Sequence, residues 1–128
     1  MGVVVSCENG GSNIPAWLDA DLVERCPVRR GDPIARLLAH DIASILGGQC
    51  VSATTDPRIV NLGKSPTHRR VIPTLLKPFR PRIEQEIHQP YIERLGDACN
   101  AAMMRHRFVI HLSVHTFDPA DRRGQFQR

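Results

Sequence analysis

Apolar and polar positions alternate along this chain in blocks that predict short strands separated by helices. Val3–Cys7 is a β-branched run that predicts a first strand, and Gln49–Ala53 predicts a second. Arg58–Leu62 is a candidate third strand. From Phe108 onward the alternation predicts a buried strand that ends at Asp118-Pro119. Each run is short and is followed by a glycine-rich or proline-containing segment, as strands commonly are.

Helical spacing governs two of the intervening blocks. Asp32 is a suitable N-cap with Pro33 at the first helical position, and apolar residues then recur at helical spacing up to Gly47. A long amphipathic helix follows later, with apolar residues on one face from Ile83 to Met103. Pro90 lies inside this second pattern, so we expect a kink or a break there.

The order of these elements is strand, helix, strand, helix, strand, which predicts an α/β sheet with crossover helices. Residues 1–128 are expected to form one domain, because no composition shift or internal repeat divides them. The stretch Gly63–Pro81 holds four prolines and several basic residues, and predicts a long surface loop.

Composition narrows the function classes. Hydrophobic residues make up 41% of the chain and charged residues 23%, as in ordinary soluble proteins, and no run approaches the ~20 apolar residues of a membrane span. The net charge of +4 is spread along the chain without interleaved aromatics, so we expect no nucleic-acid partner and no membrane partner. Four cysteines without a C-x-x-C pair favour reduced thiols and a cytoplasmic location.

The candidate chemistry lies where two predicted strands end. Glu8 follows the first strand in a glycine-rich loop, and His115 follows the last, so a carboxylate and an imidazole could converge on a metal ion. His111 is a second histidine on the same strand, but four residues span about 13 Å at ~3.3 Å each, too far for both to bind one zinc. We therefore assign His115 to the metal and His111 to a hydrogen bond deeper in the sheet. The alternative for Glu8 is an ordinary strand-to-helix turn with an exposed carboxylate.

Several segments resemble motifs of the N-formylglutamate amidohydrolase family. Ser6–Pro15 reads SCENGGSNIP and is similar to a motif that usually begins S-C-E-H. Ser113–Pro119 reads SVHTFDP and resembles the family's S-V-H-S-F-T-P. Arg30–Pro33 resembles an R-G-Y-D-P helix start, and Pro57–Pro66 resembles an S-R-L-V-D-L-N-R-S-P segment. Pro90-Tyr91 fits the long helix, and the motifs occur in the family's order over essentially the whole chain.

The resemblance implies a fold and an activity. It implies the three-layer α/β/α architecture of zinc carboxypeptidases and aspartoacylases, of which this chain would hold the amino-terminal part only. It also implies a hydrolase that cleaves the amide of an N-acyl amino acid, releasing formate from N-formyl-L-glutamate at the end of one route of histidine degradation. The cofactor would be a divalent metal, with zinc as the expected ion, that polarises the carbonyl and activates water.

Carried over by position, the resemblance assigns Glu8 and His115 to the metal, Arg58 and Lys64 to the substrate carboxylates, and Asn9 and Asp32 to the lining of the site. The family has histidine where this chain has Asn9, a neutral amide that binds zinc poorly. The family also has arginine where this chain has Lys64, which keeps the charge but loses the two-donor fork.

Two hypotheses follow. One is a divergent or truncated metal-dependent amidohydrolase with a small acyl-amino-acid substrate. The other is a non-catalytic remnant or binding module of the same fold. In either case a sheet that lacks its later strands is expected to leave an exposed edge, which favours self-association.

Overall fold

The computed structural model describes residues 1–116. Strands β1 (Gly2–Cys7), β2 (Gln49–Ser52) and β3 (Val109–Ser113) form one parallel sheet in the order β2-β1-β3. The predicted strands at the start, middle and end of the chain are confirmed, and so is the mixed α/β class. Because all three strands are parallel, their carboxyl ends meet at one edge of the sheet.

Helix α1 (Ala20–Glu24) is short, and helix α2 (Pro33–Leu46) connects β1 to β2. As predicted, Asp32 caps α2: its Oδ1 accepts a hydrogen bond from the Ile34 backbone N–H at 2.9 Å, and Pro33 occupies the first turn. Gly47 ends α2 with φ +67°, in the left-handed region where glycine carries no side-chain penalty. The local signals in this segment therefore determine both ends of the helix.

The long amphipathic helix is built from three segments. A 3-10 helix (Thr74–Phe79) leads into α3 (Arg80–Ile83), a π-helical segment (Glu84–His88) and α4 (Gln89–Arg105). In the π-helical segment the Gln89 N–H bonds to the Glu84 carbonyl five residues back. The proline predicted to kink the helix follows immediately, and since it has no N–H to donate, the widened turn lets the helix continue past it.

The core lies on both faces of the sheet. Helix α4 covers one face, where Val4 and Val51 contact the apolar side of the helix. Helix α2 covers the other face with a stripe of small residues, Ala35, Ala39 and Ala43, which lie against β1. Most of the larger apolar residues of α2 lie on its exposed flank, where Ile45 is 82% exposed, and Ile42 alone of them packs against the small residues. Short side chains facing the sheet bring the helix close to β1, and most of the bulky ones remain in solvent.

A histidine is among the buried polar groups of the fold. His88, the last residue of the π-helical segment, is only 1% exposed, and neither ring nitrogen has a hydrogen-bond partner among residues 1–116. Burial lowers the pKa of its imidazole, while the Lys64 backbone and the charge of Glu84 act in the opposite direction. The ring is therefore held in its neutral form.

Three expectations about this part of the chain were wrong. Arg58–Leu62 is buried but forms turns and irregular backbone, because no neighbouring strand pairs with it in the described residues. The predicted surface loop, Gly63–Pro81, contains buried Val71 and Ile72 and the 3-10 helix. The last strand, β3, is an exposed edge and is not buried: Ile110 and Leu112 are 41% and 37% exposed. Apolar runs of this length do not by themselves distinguish a strand from a buried loop.

Within residues 1–116, no helix is both long enough and apolar enough to cross a membrane. The predicted break at Asp118-Pro119 lies outside the described residues, as do Phe117 and the basic end of the chain.

Candidate functional site

The carboxyl edge of the sheet brings the end of β1 next to the end of β3. Ser6 is in register with Ser113, and the Val114 N–H continues the ladder by donating to the Ser6 carbonyl at 2.8 Å. Residues just beyond these two strands must therefore lie close together. Deeper in the sheet, Ser6 Oγ lies 2.7 Å from His111 Nε2, which confirms the hydrogen bond predicted for His111.

Glu8 is 5% exposed, so the alternative of an ordinary turn with an exposed carboxylate does not describe it. The hydroxyls of Tyr91 and Ser113 donate to its two oxygens, one to Oε2 and the other to Oε1. Burial, and next the contact with Glu8, raise the pKa of Tyr91, so the phenol stays protonated and remains a donor. A buried carboxylate with a donor on each oxygen is a satisfied group held in one position.

His115 completes the cluster from the other strand, and its side chain is 50% exposed. Its Nε2 lies 2.9 Å from Ser113 Oγ and 3.9 Å from Glu8 Oε1, and its Nδ1 lies 3.1 Å from Asn9 Nδ2. The structure therefore brings together Glu8, Asn9 and His115, which the sequence had placed at one site. We call Glu8, Asn9, Tyr91, Ser113 and His115 the edge cluster.

Asp32 closes one side of the edge cluster. While its Oδ1 caps α2, its Oδ2 accepts a hydrogen bond from the Thr116 hydroxyl, and its N–H donates to the Asn9 carbonyl at 2.8 Å. The Asp32 carboxylate thus joins the start of α2 to the segment after β3, and its backbone N–H joins the glycine-rich loop to the same point. Gly11 lies in that loop, where a Cβ would be only 2.3 Å from the Thr54 backbone, so the close approach of these segments requires glycine.

Arg58 is placed differently from the substrate-binding role that the resemblance assigns to it. Its side chain is 6% exposed and its guanidinium contacts Asp56 at 3.1 and 2.9 Å and Glu24 at 3.2 Å. Hydrogen bonds to Asp56 are the main reason that its pKa is raised, so the guanidinium is permanently charged. The same contacts, with Arg30 nearby, lower the pKa of Glu24. These carboxylates occupy the donors that a substrate carboxylate would need.

Lys64 is half-buried in a turn, where its N–H donates to the Asn61 carbonyl at 3.1 Å. In the part of the chain that the structure describes, neither Lys64 nor Arg58 lines the cavity beside the edge cluster. The substrate-binding assignment of these two residues stays a prediction that the geometry does not support directly.

The cavity beside the edge cluster has a volume of about 150 Å³. Its polar lining consists of Asn9, Arg29, Arg30, Asp32, Asn61 and Thr116. A second cavity of about 650 Å³ shares Val28, Pro57 and Asn61 with it and extends away from the sheet. The two together form an open groove that begins at Asn9.

Sequence reasoning missed Tyr91 and Ser113 as members of the edge cluster. A period of two from His111 and His115 places Ser113 on the same side of β3, so that signal was available. Tyr91 was placed on the apolar face of the long helix, which is correct for its ring. The partner of its hydroxyl depends on how the helix crosses the sheet, and no local pattern encodes that.

The donors of the edge cluster fall short of a complete catalytic zinc site. Two zinc ligand bonds of about 2.0–2.2 Å can span at most about 4.2 Å, so the 3.9 Å between Glu8 Oε1 and His115 Nε2 is within reach of one ion. A catalytic zinc takes three protein ligands and a water. Among residues 1–116, no group of three or more His, Cys, Asp or Glu side chains is placed to hold a metal. Beside Glu8 and His115, the place of a third zinc ligand is taken by the side-chain amide of Asn9.

Comparisons of the chain with protein-family models, with curated proteins and with solved structures found no match in any of the three.

Proposed function

We propose that this chain is a divergent relative of the N-formylglutamate amidohydrolases, built on the amino-terminal part of their three-layer α/β/α fold. In this proposal the groove beside the edge cluster binds a small N-acyl amino acid. The motif resemblance supports the family, and the parallel sheet with a helix on each face is compatible with the fold. Four free cysteines are compatible with a cytoplasmic location.

We propose further that the edge cluster acts as a hydrogen-bonding site in this chain and does not hold a catalytic metal. One observation carries this: Asn9 Nδ2 lies 3.1 Å from His115 Nδ1, at the position where the resemblance expects a zinc-binding histidine. An amide in place of an imidazole leaves two strong zinc ligands. The Asn9 amide has a second N–H besides the one that faces His115, and in this proposal that N–H donates to the acyl oxygen of a ligand.

The second candidate is the metal-dependent amidohydrolase itself, with zinc on Glu8 and His115 and with Arg58 and Lys64 on the substrate carboxylates. The 3.9 Å separation of Glu8 Oε1 and His115 Nε2 favours it. It also requires Arg58 to release Asp56, which is buried beside it.

Zinc affinity separates the two candidates. We expect the natural chain to bind zinc at less than one equivalent after dialysis, and Asn9→His to bind one equivalent at least tenfold more tightly. Adding His115→Ala to Asn9→His should abolish that gain. Asn13→His is the matched control, because it adds an imidazole at an exposed position of the same loop. Metal content by mass spectrometry and zinc competition titrations measure both effects.

Formate release from N-formyl-L-glutamate is measured in parallel. Stoichiometric zinc in the natural chain that is lost in His115→Ala, together with formate release, would establish the hydrolase and overturn the metal-free site. Equal zinc affinity in Asn9→His and Asn13→His would show that the edge cluster is not a metal position at all.

A further inference from the structure

The larger cavity of the groove is lined by apolar side chains and by two arginines, which an N-formyl amino acid bound at Asn9 would not use. Its volume of about 650 Å³ lies in the range of sites that enclose a drug-sized ligand. Apolar groups of Val28, Pro57, Ile72 and Leu75 line it. Ile72 is buried and Leu75 is exposed, so the groove has a buried apolar wall at Ile72 and is open to solvent at Leu75.

Arg69 and Arg70 are the cations that line the larger cavity of this groove. Both are exposed, and neither guanidinium has an ion-pair partner among residues 1–116. No Asp or Glu lies among the residues that line the larger cavity. Arg58, by contrast, is paired with Asp56 and Glu24, whereas the guanidinium groups of Arg69 and Arg70 have donors free for an anion.

The backbone holds these two arginines in a defined place relative to the edge cluster. The Arg70 N–H donates to His68 Nδ1 at 3.0 Å, and the Val71 N–H donates to the His68 carbonyl at 3.1 Å. The Asn61 N–H in turn donates to the Val71 carbonyl at 2.7 Å. Asn61 lines both cavities, so the turn with the arginines is tied to the residue where the two cavities meet.

We infer that Arg69 and Arg70 form an anion subsite, and that the ligand of this groove is an N-acylated dipeptide with an apolar residue followed by a terminal acidic residue. The inference rests on the proposed function for the acyl end of the ligand, which lies at Asn9. The apolar side chain lies on Ile72 and Pro57, and the carboxylates of the acidic residue lie on the two guanidinium groups.

The test uses the full chain, labelled with nitrogen-15, and three probes. N-acetyl-Leu-Glu carries both carboxylates, N-acetyl-Leu-Gln with an amidated C-terminus carries none, and N-formyl-L-glutamate lacks the apolar residue. We expect N-acetyl-Leu-Glu to shift the amide signals of both Asn9 and Ile72, and to bind at least tenfold more tightly than either other probe. Binding should weaken as salt rises, because the contact is ionic and exposed.

Variants assign the effect to the two arginines. Arg69→Gln with Arg70→Gln should weaken N-acetyl-Leu-Glu about tenfold to a hundredfold, as expected for losing charge-assisted hydrogen bonds. Arg105→Gln with Arg107→Gln is the matched control, because it removes the same charge from exposed positions before β3 and should leave the affinity unchanged.

The outcomes separate this inference from the proposed function. The subsite would be overturned if both double variants lost the same affinity for N-acetyl-Leu-Glu, or if the neutral probe bound as tightly as N-acetyl-Leu-Glu. It would also be overturned if N-acetyl-Leu-Glu did not bind at millimolar concentration. If N-formyl-L-glutamate still shifts Asn9 in those cases, the proposed function stands without the subsite. If N-acetyl-Leu-Glu shifts Ile72 but no probe shifts Asn9, the subsite stands and the acyl site proposed at the edge cluster falls.

Discussion

Replacing Arg58 by methionine distinguishes a structural arginine from a substrate-binding one. The side chains of Arg58 and Asp56 are 6% and 4% exposed, and two hydrogen bonds, at 3.1 and 2.9 Å, join them. Methionine fills a similar volume but leaves the Asp56 carboxylate buried, with the backbone N–H of residue 58 as its one remaining donor in the described part of the chain. We therefore expect a large loss of stability that does not depend on any ligand.

The size of this loss follows from burying an unpaired charge. Removing one partner of a buried ion pair costs about 3–5 kcal/mol. Against a total unfolding free energy of roughly 5–15 kcal/mol, this is a large fraction. At about 4 °C per kcal/mol for a domain of this size, the melting midpoint should fall by roughly 12–20 °C.

Urea denaturation and calorimetry without ligand measure the effect, and two variants control it. Asp56→Leu combined with Arg58→Met removes both charges and should recover at least half of the loss. Arg30→Gln breaks an exposed pair with Glu24 and should leave the unfolding free energy nearly unchanged. An Arg58→Met protein that is as stable as the natural chain but fails to bind N-formyl-L-glutamate would refute this reasoning and establish Arg58 as the substrate clamp.

Three further predictions concern other parts of the fold. Burial lowers the pKa of His88, so as pH drops the unfolded chain takes up a proton first, and the unfolding free energy should fall from about pH 6.5 toward the lower folded pKa. Urea titrations from pH 7.5 to 5 should show that the unfolding free energy depends less on pH in His88→Leu. An equal pH dependence in the two proteins would contradict the prediction. Gly96→Ala on α4, where a Cβ meets nothing within 4 Å, should raise the unfolding free energy by about 0.5–1 kcal/mol. Gly11→Ala, where a Cβ would meet the Thr54 backbone, should lower it by about 1–3 kcal/mol. Similar melting midpoints for the two variants would show that the loop does not need glycine. Self-association through the edge of β3 should make sedimentation depend on protein concentration. Leu112→Lys on β3 should reduce this dependence, and Leu75→Lys, an exposed position outside the sheet, should leave it unchanged. A protein that is monomeric at all concentrations would contradict the prediction.

The sequence predicted the elements whose signals are local. Asp32 and Pro33 determine the start of α2 and Gly47 determines its end, because capping and left-handed backbone depend on one or two residues. β1 was predicted correctly for a similar reason, since a run of three β-branched valines favours a strand locally. These elements are the ones that position Glu8, Asn9 and Asp32.

The remaining features depend on partners far away in the chain. Whether Arg58–Leu62 is a strand depends on a neighbouring strand that the described residues do not supply, and the run is buried in turns instead. The role of Arg58 depends on Glu24 and Asp56, of which Glu24 is distant in sequence, so a motif alone could not distinguish a clamp from a buried ion pair. The exposure of Ile110 and Leu112 depends on the place of β3 in the strand order, which the alternation does not encode.

The convergence of Glu8 and His115 is itself a consequence of topology, because any two residues just beyond β1 and β3 would meet at this edge. The convergence alone is therefore no argument for a metal, and the hydrogen bonds decide the matter. Ser113 Oγ contacts both Glu8 Oε1 and His115 Nε2, the same two atoms that would have to face a shared ion. A metal would have to displace this hydroxyl from both of them and would still lack a third strong ligand at Asn9. Ser113→Ala should therefore raise the zinc affinity of the Asn9→His protein further, because it frees the two ligand atoms. In the natural chain the same substitution should raise zinc affinity little. A zinc affinity that Ser113→Ala lowers in both backgrounds would mean that the hydroxyl supports the metal site and does not block it.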